Sequence, residues 1–311
     1  MYIFSNVLGV FVFDEKGGLA DKILFESIDQ YGGRQKYIDE IKNRYQVLKE
    51  PDEKNLQKIL LYFKDKEFFG SFYNKNLEIT KIDVRNSVVA DTLIIQSIKS
   101  IDEIDKSINL LSKRLREWYG LYNPETSRAI ESHEIFVQQI IEKDKKELLQ
   151  ELNINPKDSI GADLLHEDLE PLKSLAHEAF NLFQLRKTQI DYMSNLMDLN
   201  CPNLKAVCGI LVAAKLVEHA GSLRRLSMLP SSTVQILGAE TALFRHLKTG
   251  ANPPRHGVIA SHILLAKAPD KMHGKIARSL ADKISIAVKI DYFKGQFIGD
   301  KLAKELEDKF K

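Results

Sequence analysis

Apolar residues recur along this chain with two rhythms, one of period two and one of helical period, and the switches between them predict the elements. The opening MYIFSNVLGVFVF alternates with period two and runs into Asp14-Glu15-Lys16-Gly17-Gly18, which predicts a β-hairpin. A strand pattern resumes around Ile23–Ile28. Helical spacing follows over 34–63, through Ile38, Ile41, Tyr45 and Leu48 and then Leu56, Ile59, Leu60 and Phe63. The segment LEITKIDV, 77–84, alternates again and predicts one more strand. After it Ile94, Ile98, Ile101, Ile104, Ile108, Leu111 and Leu115 recur at steps of three and four, which marks a helix. Residues 1–112 are therefore expected to form an α/β module. Its glycine pairs, Gly17-Gly18 and Gly32-Gly33, punctuate turns and do not form a phosphate-binding loop.

From 113 to 198 the pattern predicts a helical hairpin. One arm, Glu125 to about Glu151, places Ile130, Val137, Ile140, Ile141, Leu148 and Leu149 on a face. The connector NINPKDSIGAD breaks the helix. A return arm, Leu164 to about Leu199, carries Leu172, Leu175, Ala179, Leu182, Phe183, Ile190, Met193 and Met197 along a seam. Near-heptad spacing predicts antiparallel packing of the arms as a coiled coil. Phe180, Phe183 and Tyr192 either leave surface for a second copy or complete the hairpin's own core, and periodicity does not separate the two. Residues 199–311 predict an all-α domain. It would hold an apolar helix Val207–Leu216, a turn at Ala220-Gly221-Ser222, and a long helix from about Asp270 to Phe293. In that last helix Ile276, Leu280, Ile284, Val288 and Tyr292 form the buried stripe, while Lys271, Lys275, Arg278 and Lys289 lie elsewhere. The fold class expected is mainly α with an N-terminal α/β module.

Composition narrows the function. No run of about 18 apolar residues exists, so no membrane span is expected. The N-terminus lacks a basic start and a cleavage site, so a cytoplasmic location is expected. Cys201 and Cys208 lack metal-ligand partners at suitable spacing and read as small buried apolar residues. The net charge of +2 hides an asymmetry. Residues 199–311 hold 18 Lys+Arg against 9 Asp+Glu, and the rest of the chain 27 against 34. Opposed ends point to an anionic partner for one of them.

The basic end concentrates its charge in PSSTVQILGAETALFRHLKTGANPPRHG, 230–257. This block brings Arg245, His246, Lys248, Arg255 and His256 together with Glu240 as the sole carboxylate, and ends in a Pro-Pro loop that stops the helix. Clustered cations bounded by loops suit a phosphate backbone better than a small substrate. Lys271, Lys275 and Arg278 share one helix face and would extend a cationic groove. No GxSxG, HExxH, Walker loop or paired carboxylates are present, so no catalytic residue, metal or cofactor is expected.

The runs ILGAETALFRHLKTGANPPRHG and HGKIARSLADKISIAVKIDYF resemble the signature of the Nop family. PNLKAVCGILVAAKLVEHAGSLRRLSMLPSSTVQ and RLREWYGLYNPE are similar to its upstream motifs, so the resemblance covers about 86–311. It implies an archaeal scaffold of box C/D small ribonucleoproteins, a homodimer through its coiled coil. In such a scaffold the N-terminal module binds fibrillarin, the S-adenosylmethionine-dependent RNA 2′-O-methyltransferase. The Nop domain binds a kink-turn guide RNA already carrying a ribosomal-protein-like subunit. Carried onto this chain, Gly238, Ala239 and Glu240 with the helix Thr241–Lys248 match the composite RNA and protein contact. Arg255, His256 and Gly257 match the loop beside the RNA, and Lys275 and Arg278 the basic start of the long helix. On this reading the Gly238 turn presents backbone N–H groups to phosphate, His246 or His256 stacks on an unpaired base, and Gln235 reaches a phosphate or base edge. The chain departs from the family at Thr241, where Lys or Arg is usual, and at Asp270–His273, and it ends after Phe310 without a lysine-rich tail. The alternative reading is a helical protein–protein adaptor that does not touch RNA.

Overall fold

The computed structural model describes residues 1–45, 47–64 and 66–310. They divide into two units, Met1–Val89 and Ala90–Lys311.

The first unit is built on an antiparallel sheet of order β1-β2-β3, with β1 Tyr2–Asn6, β2 Gly9–Phe13 and β3 Leu19–Leu24. The stretch expected as one strand folds on itself at Val7-Leu8, so that Tyr2 faces Phe13 and Asn6 faces Gly9, while the expected turn at Asp14–Gly18 joins β2 to β3. The central strand is buried on both faces, and its alternation sorts the two. Phe11 and Phe13 pack with Ile59, Phe63 and Phe68, whereas Val10 and Val12 pack with Phe25 and Ile41. One face is thus covered by α3 (Glu53–Tyr62) and α4 (Lys66–Asn86), the other by α2 (Arg34–Arg44), with the short α1 (Ile28–Gly32) beside it. The helical stretch expected over 34–63 is interrupted where Tyr45 turns extended and Lys49 pairs with Tyr2.

Two expectations are corrected here. The strand placed around Ile23–Ile28 lies earlier, at Leu19–Leu24, because Asp14 and Gly18 close a tight turn that starts the return strand at once. The strand expected at 77–84 is part of α4. Phe68, Phe72 and Ile79, four and seven apart, face the core while Leu77, Ile82 and Val84 are exposed, so helical spacing over 21 residues overrides a short alternation.

The second unit starts with α5 (Ala90–Tyr122), which pairs with α9 (His166–Asn200). Each is about 50 Å long at 1.5 Å per residue. Ile94, Ile98 and Ile101 of α5 share a core with Met193 and Met197 of α9, while Leu115 and Tyr119 meet Leu172, Ala176 and Ala179, which makes the pair antiparallel. Arg186 pairs with Asp105 midway. The hairpin is therefore present, but its first arm is α5. The stretch assigned to that arm, 125–151, is broken into α6 (Pro124–Ala129), α7 (His133–Glu142) and α8 (Lys145–Glu151). Each break coincides with a capping side chain: Asn123, Ser132, and Asp144 in a reciprocal box with Glu147. The boundary expected at 112/113 falls inside α5, whose buried stripe continues through Leu115 and Tyr119.

The remaining helices are α10 (Pro202–Cys208), α11 (Ile210–Ala220), α12 (Leu223–Met228), α13 (Ser231–Ile236), α14 (Glu240–Thr249), α15 (Ile263–Ala266), α16 (Asp270–Tyr292) and α17 (Gly299–Phe310). The apolar helix expected over Val207–Leu216 is divided at Gly209, where φ of +76° ends α10. Among them α16 is the spine: Ile276, Leu280, Ile284 and Val288 are buried, and the helix packs against α10, α12 and α13. At its far end the buried Asp291 carboxylate accepts from Asn203 N–H and Nδ2 and from Leu204 N–H, at 3.1, 2.8 and 2.8 Å, capping α10. Mainly α with an N-terminal α/β module is the fold observed.

Candidate RNA-binding face

The face is built by α13, a turn, α14, and a loop that doubles back. Leu237 leaves α13, Gly238 takes φ of +86°, and α14 starts at Glu240. Gly250 ends α14 with φ of +71°, so the chain reverses into Ala251–Gly257. The loop then pairs with the first turn: Gly257 N–H donates to Gln235 O at 2.9 Å and Val258 N–H to Leu237 O at 2.8 Å. Gln235 Nε2 adds a bond to Arg255 O at 2.7 Å. Only glycine fits at 257, since a Cβ there would stand 1.9 Å from Leu237 O.

The expected site residues separate into two groups. Gln235, Gly238, Glu240 and His246 build the frame. Glu240 accepts from Gly238 N–H at 2.8 Å, so that amide is already partnered, and its carboxylate lies 4.0 Å from His219. Burial raises the Glu240 pKa, but the Gly238 and Glu240 backbone bonds and the His219 charge outweigh it and hold the carboxyl below its ordinary value. His246 Nδ1 is bonded to Ala251 O and closes the loop. Ala239, half-buried, is the N-cap position of α14.

Arg245, Lys248, Arg255, Lys275 and Arg278 are exposed, as is Lys271, and among the described residues none of the six has a carboxylate within ion-pair distance. His256 is half-buried, its ring 5.7 Å from that of His273. This contact places the Arg255 loop beside the first turns of α16, where His273 is bonded to Ala268 O at 2.9 Å. The Arg255 loop thus packs on the end of α16 from which Lys271 and Lys275 project exposed.

One feature was not read from the sequence. No residue of α14 is buried. Its helical positions set Lys248, Thr241 and Arg245 on one arc and Leu243, Leu247 and Phe244 on the next. Phe244 is 67% exposed and Leu247 71%. The signal was available in the sequence, since ETALFRHLKT is amphipathic, but an apolar arc is normally taken for core. An apolar cleft of about 530 Å³ walled by Cys208, Leu211, His262 and Ile263 lies apart from these cations. Burial lowers the His262 pKa and pushes the Cys208 thiol far up. Among the described residues no cluster of His, Cys, Asp and Glu is arranged to hold a metal ion, and no helix is long and apolar enough to cross a membrane.

The model of the Nop family (snoRNA binding domain, fibrillarin) matches residues 100–311, a span that includes this face. The chain belongs to the Nop family. It is 36% identical over 255 residues to an uncharacterized NOP5 family protein of Methanocaldococcus jannaschii, covering 77% of this chain and 61% of that one. It is 37% identical over 240 residues to Nucleolar protein 56 of Homo sapiens, covering 70% and 40%. Nucleolar protein 58 of Mycosarcoma maydis is 38% identical over 215 residues, covering 65% and 37%. The match thus spans less than two thirds of each of these relatives' length. A crystal structure of a fibrillarin/Nop5p complex aligns with a TM-score of 0.45 at 22% identity, covering 99% of this chain and 98% of that chain.

Proposed function

We propose that this Nop-family chain is the non-catalytic scaffold of a box C/D guide ribonucleoprotein. It bridges a fibrillarin-type 2′-O-methyltransferase to a kink-turn guide RNA and to the small ribosomal-protein-like subunit on that RNA. The observation that carries this reading is the paired surface of α14. Exposed Arg245 and Lys248, with Arg255 on the adjoining loop, offer unpaired charge to phosphates, while Phe244 and Leu247 offer apolar surface that nucleic acid alone does not need. A composite of RNA and bound protein uses both. The Gly238 amide is already taken by Glu240, so recognition is assigned mainly to side chains and is dominated by phosphates. Thr241 lies between Lys248 and Arg245 on the cationic arc, where a hydroxyl replaces a possible ion contact.

The unit 1–89 is assigned to methyltransferase docking, and the α5/α9 hairpin to the homodimer contact. Leu110 and Leu121 are exposed on α5, and Tyr192 on α9, whereas Phe180 and Phe183 are packed into the hairpin's own tip core. Catalysis belongs to the methyltransferase, and an archaeal, cytoplasmic setting fits this reading.

The test is binding of kink-turn RNA with and without the ribosomal-protein-like subunit across a salt series. Reversing the charge of Arg245, Lys248 and Arg255 should weaken the complex and reduce the salt slope by about one per phosphate contact removed. Phe244→Ala with Leu247→Ala should weaken binding only when the protein subunit is present. Unchanged affinity in the charge-reversed chain sinks the RNA assignment and favours the adaptor reading. Failure of the chain to retain fibrillarin sinks the docking assignment.

A further inference from the structure

The solvent face of α16 leads away from the loop to a second feature. Lys271, Lys275, Arg278, Asp282, Ile286, Lys289 and Phe293 recur at steps of three and four and are all exposed, so they form one stripe. It carries four cations and one carboxylate. From Lys275 to Phe293 it runs about 27 Å at 1.5 Å per residue. At its end two aromatic rings stand in solvent: Phe293 is 75% exposed and Phe297 53%.

The segment that carries these rings is fixed. Gly295 N–H donates to Ile290 O at 2.8 Å and Lys294 N–H to Asp291 O at 3.2 Å, a Schellman closure of α16 with Lys294 at φ of +57°. Ile298 N–H donates to the buried Asn203 Oδ1 at 2.7 Å, anchoring the other end. Tyr292 meets Phe293 edge to face at 5.1 Å, which limits how that ring can turn. Lys294 lies near Asp291, but the carboxylate oxygens there are already engaged by Asn203 and Leu204. Among the described residues neither Lys289 nor Lys294 has a carboxylate within ion-pair distance, and the nearest exposed acids in sequence are Asp282 for Lys289 and Asp300 for Lys294.

We propose that Phe293 and Phe297 are a stacking platform for unpaired nucleotides of an RNA strand, with Lys289 and Lys294 on its phosphates. Exposed aromatic faces interleaved with unpaired lysines are the chemistry of single-strand binding, because every base offers a π-face and duplex bases do not. The lysines select an anionic strand over an apolar protein segment. The α16 stripe links this platform to the loop cations over a length of about eight stacked nucleotides at 3.4 Å each. The platform does not depend on the α14 face: it is built from the opposite end of α16.

The experiment uses the full chain with Phe293→Trp and a uridine dodecamer as probe. Single-stranded RNA should quench the new indole, while the emission of Trp118, followed in the unsubstituted chain, stays unchanged. Duplex RNA of equal length should not quench it. Phe293→Ala with Phe297→Ala should weaken dodecamer binding roughly tenfold, within the range set by loss of one or two stacks. Charge reversal at Arg245, Lys248 and Arg255 should leave the quenching in place, which separates this site from the α14 face. Absence of quenching, or equal quenching by duplex, overturns the proposal. So does a double Phe→Ala chain that binds RNA normally but loses a protein partner, which would make the patch a protein contact.

Discussion

Alanine at two glycines of the same domain should act with opposite sign. At Gly257 an added Cβ would lie 1.9 Å from Leu237 O, 2.7 Å from Leu237 C and 2.8 Å from Ile236 C. All three are backbone atoms of the turn, so no side chain can swing aside, and the shortest approach is about 1.5 Å inside nonbonded contact. The loop must lift. Lifting breaks Gly257 N–H to Gln235 O, Val258 N–H to Leu237 O and Gln235 Nε2 to Arg255 O. At about 1 kcal/mol net for each hydrogen bond, the local cost is about 3 kcal/mol. Gly274, inside α16, has nothing within 4 Å of its Cβ position. Alanine there removes unfolded-state freedom and should stabilise by about 0.5–1 kcal/mol. Amide hydrogen exchange reads both. Gly257→Ala should lower protection of the Val258 amide by about a hundredfold while leaving Ile284 and Val288 of the spine protected, and Gly274→Ala should raise the melting temperature. A Gly257→Ala chain with normal Val258 protection would falsify the close approach that frames the site.

Three other perturbations test separate parts of the molecule. Asp291→Ala removes an acceptor of three buried bonds and should cost about 3 kcal/mol in urea unfolding of the second unit. Arg116 donates to His133 Nδ1, Ser127 O and Glu131 O at 2.9, 2.7 and 3.0 Å and lies 4.4 Å from the Phe136 ring, a set a lysine cannot reproduce. Arg116→Lys should therefore destabilise the hairpin tip by about 1–2 kcal/mol. Burial, then the Arg116 and Lys113 charges, lower the His133 pKa, so its contribution is full above about pH 6.5 and is lost as pH falls through the depressed value. Thermal melts that are flat from pH 7.5 to 5 would refute that. Glu240 behaves likewise with a carboxyl: its bond to Gly238 holds above the ordinary carboxylate pKa and is released as pH falls through a lower one. The Gly238 amide shift in an NMR titration should move with that depressed midpoint, and a midpoint at the ordinary value contradicts the cap.

Much of the fold was legible because long amphipathic stripes are redundant. The seven Ile and Leu positions from Ile94 to Leu115 place α5, and the stripe of Ile276, Leu280, Ile284 and Val288 places α16 to within one residue of its observed end. What periodicity does not carry is where a stripe stops. Ser132 and Asp144 interrupt 125–151 through side-chain caps worth about 1 kcal/mol each, and apolar spacing runs straight across them. The strand expected at 77–84 failed for the converse reason: eight residues are too few to outweigh a 21-residue helix that buries Phe68. At the site, the cations were legible as composition. Their exposure was not, nor was the use of Gln235, Glu240 and His246 as frame, because that depends on a loop returning to its own start 20 residues later.

That return limits how α14 can recognise anything. A helix N-terminus ordinarily binds anions through free amides. Here Gly238 N–H is held by Glu240, and the amides of Gly257 and Val258 are held by α13 and the turn. Glu240 also sets a negative charge at the positive end of the helix, where it opposes a phosphate rather than inviting one. An anion would therefore meet chiefly the side chains of Arg245, Lys248 and Arg255, away from the Glu240 carboxylate at the helix start. Long cationic side chains read charge and spacing more than base identity. The apolar arc of Phe244 and Leu247 must then supply what charge does not, namely a preference for one shape of partner. Strong salt dependence with weak sequence preference follows for the cations, and salt-insensitive loss of affinity for Phe244→Ala. If Phe244→Ala instead changed the salt slope, the two arcs of α14 would not be acting as separate surfaces.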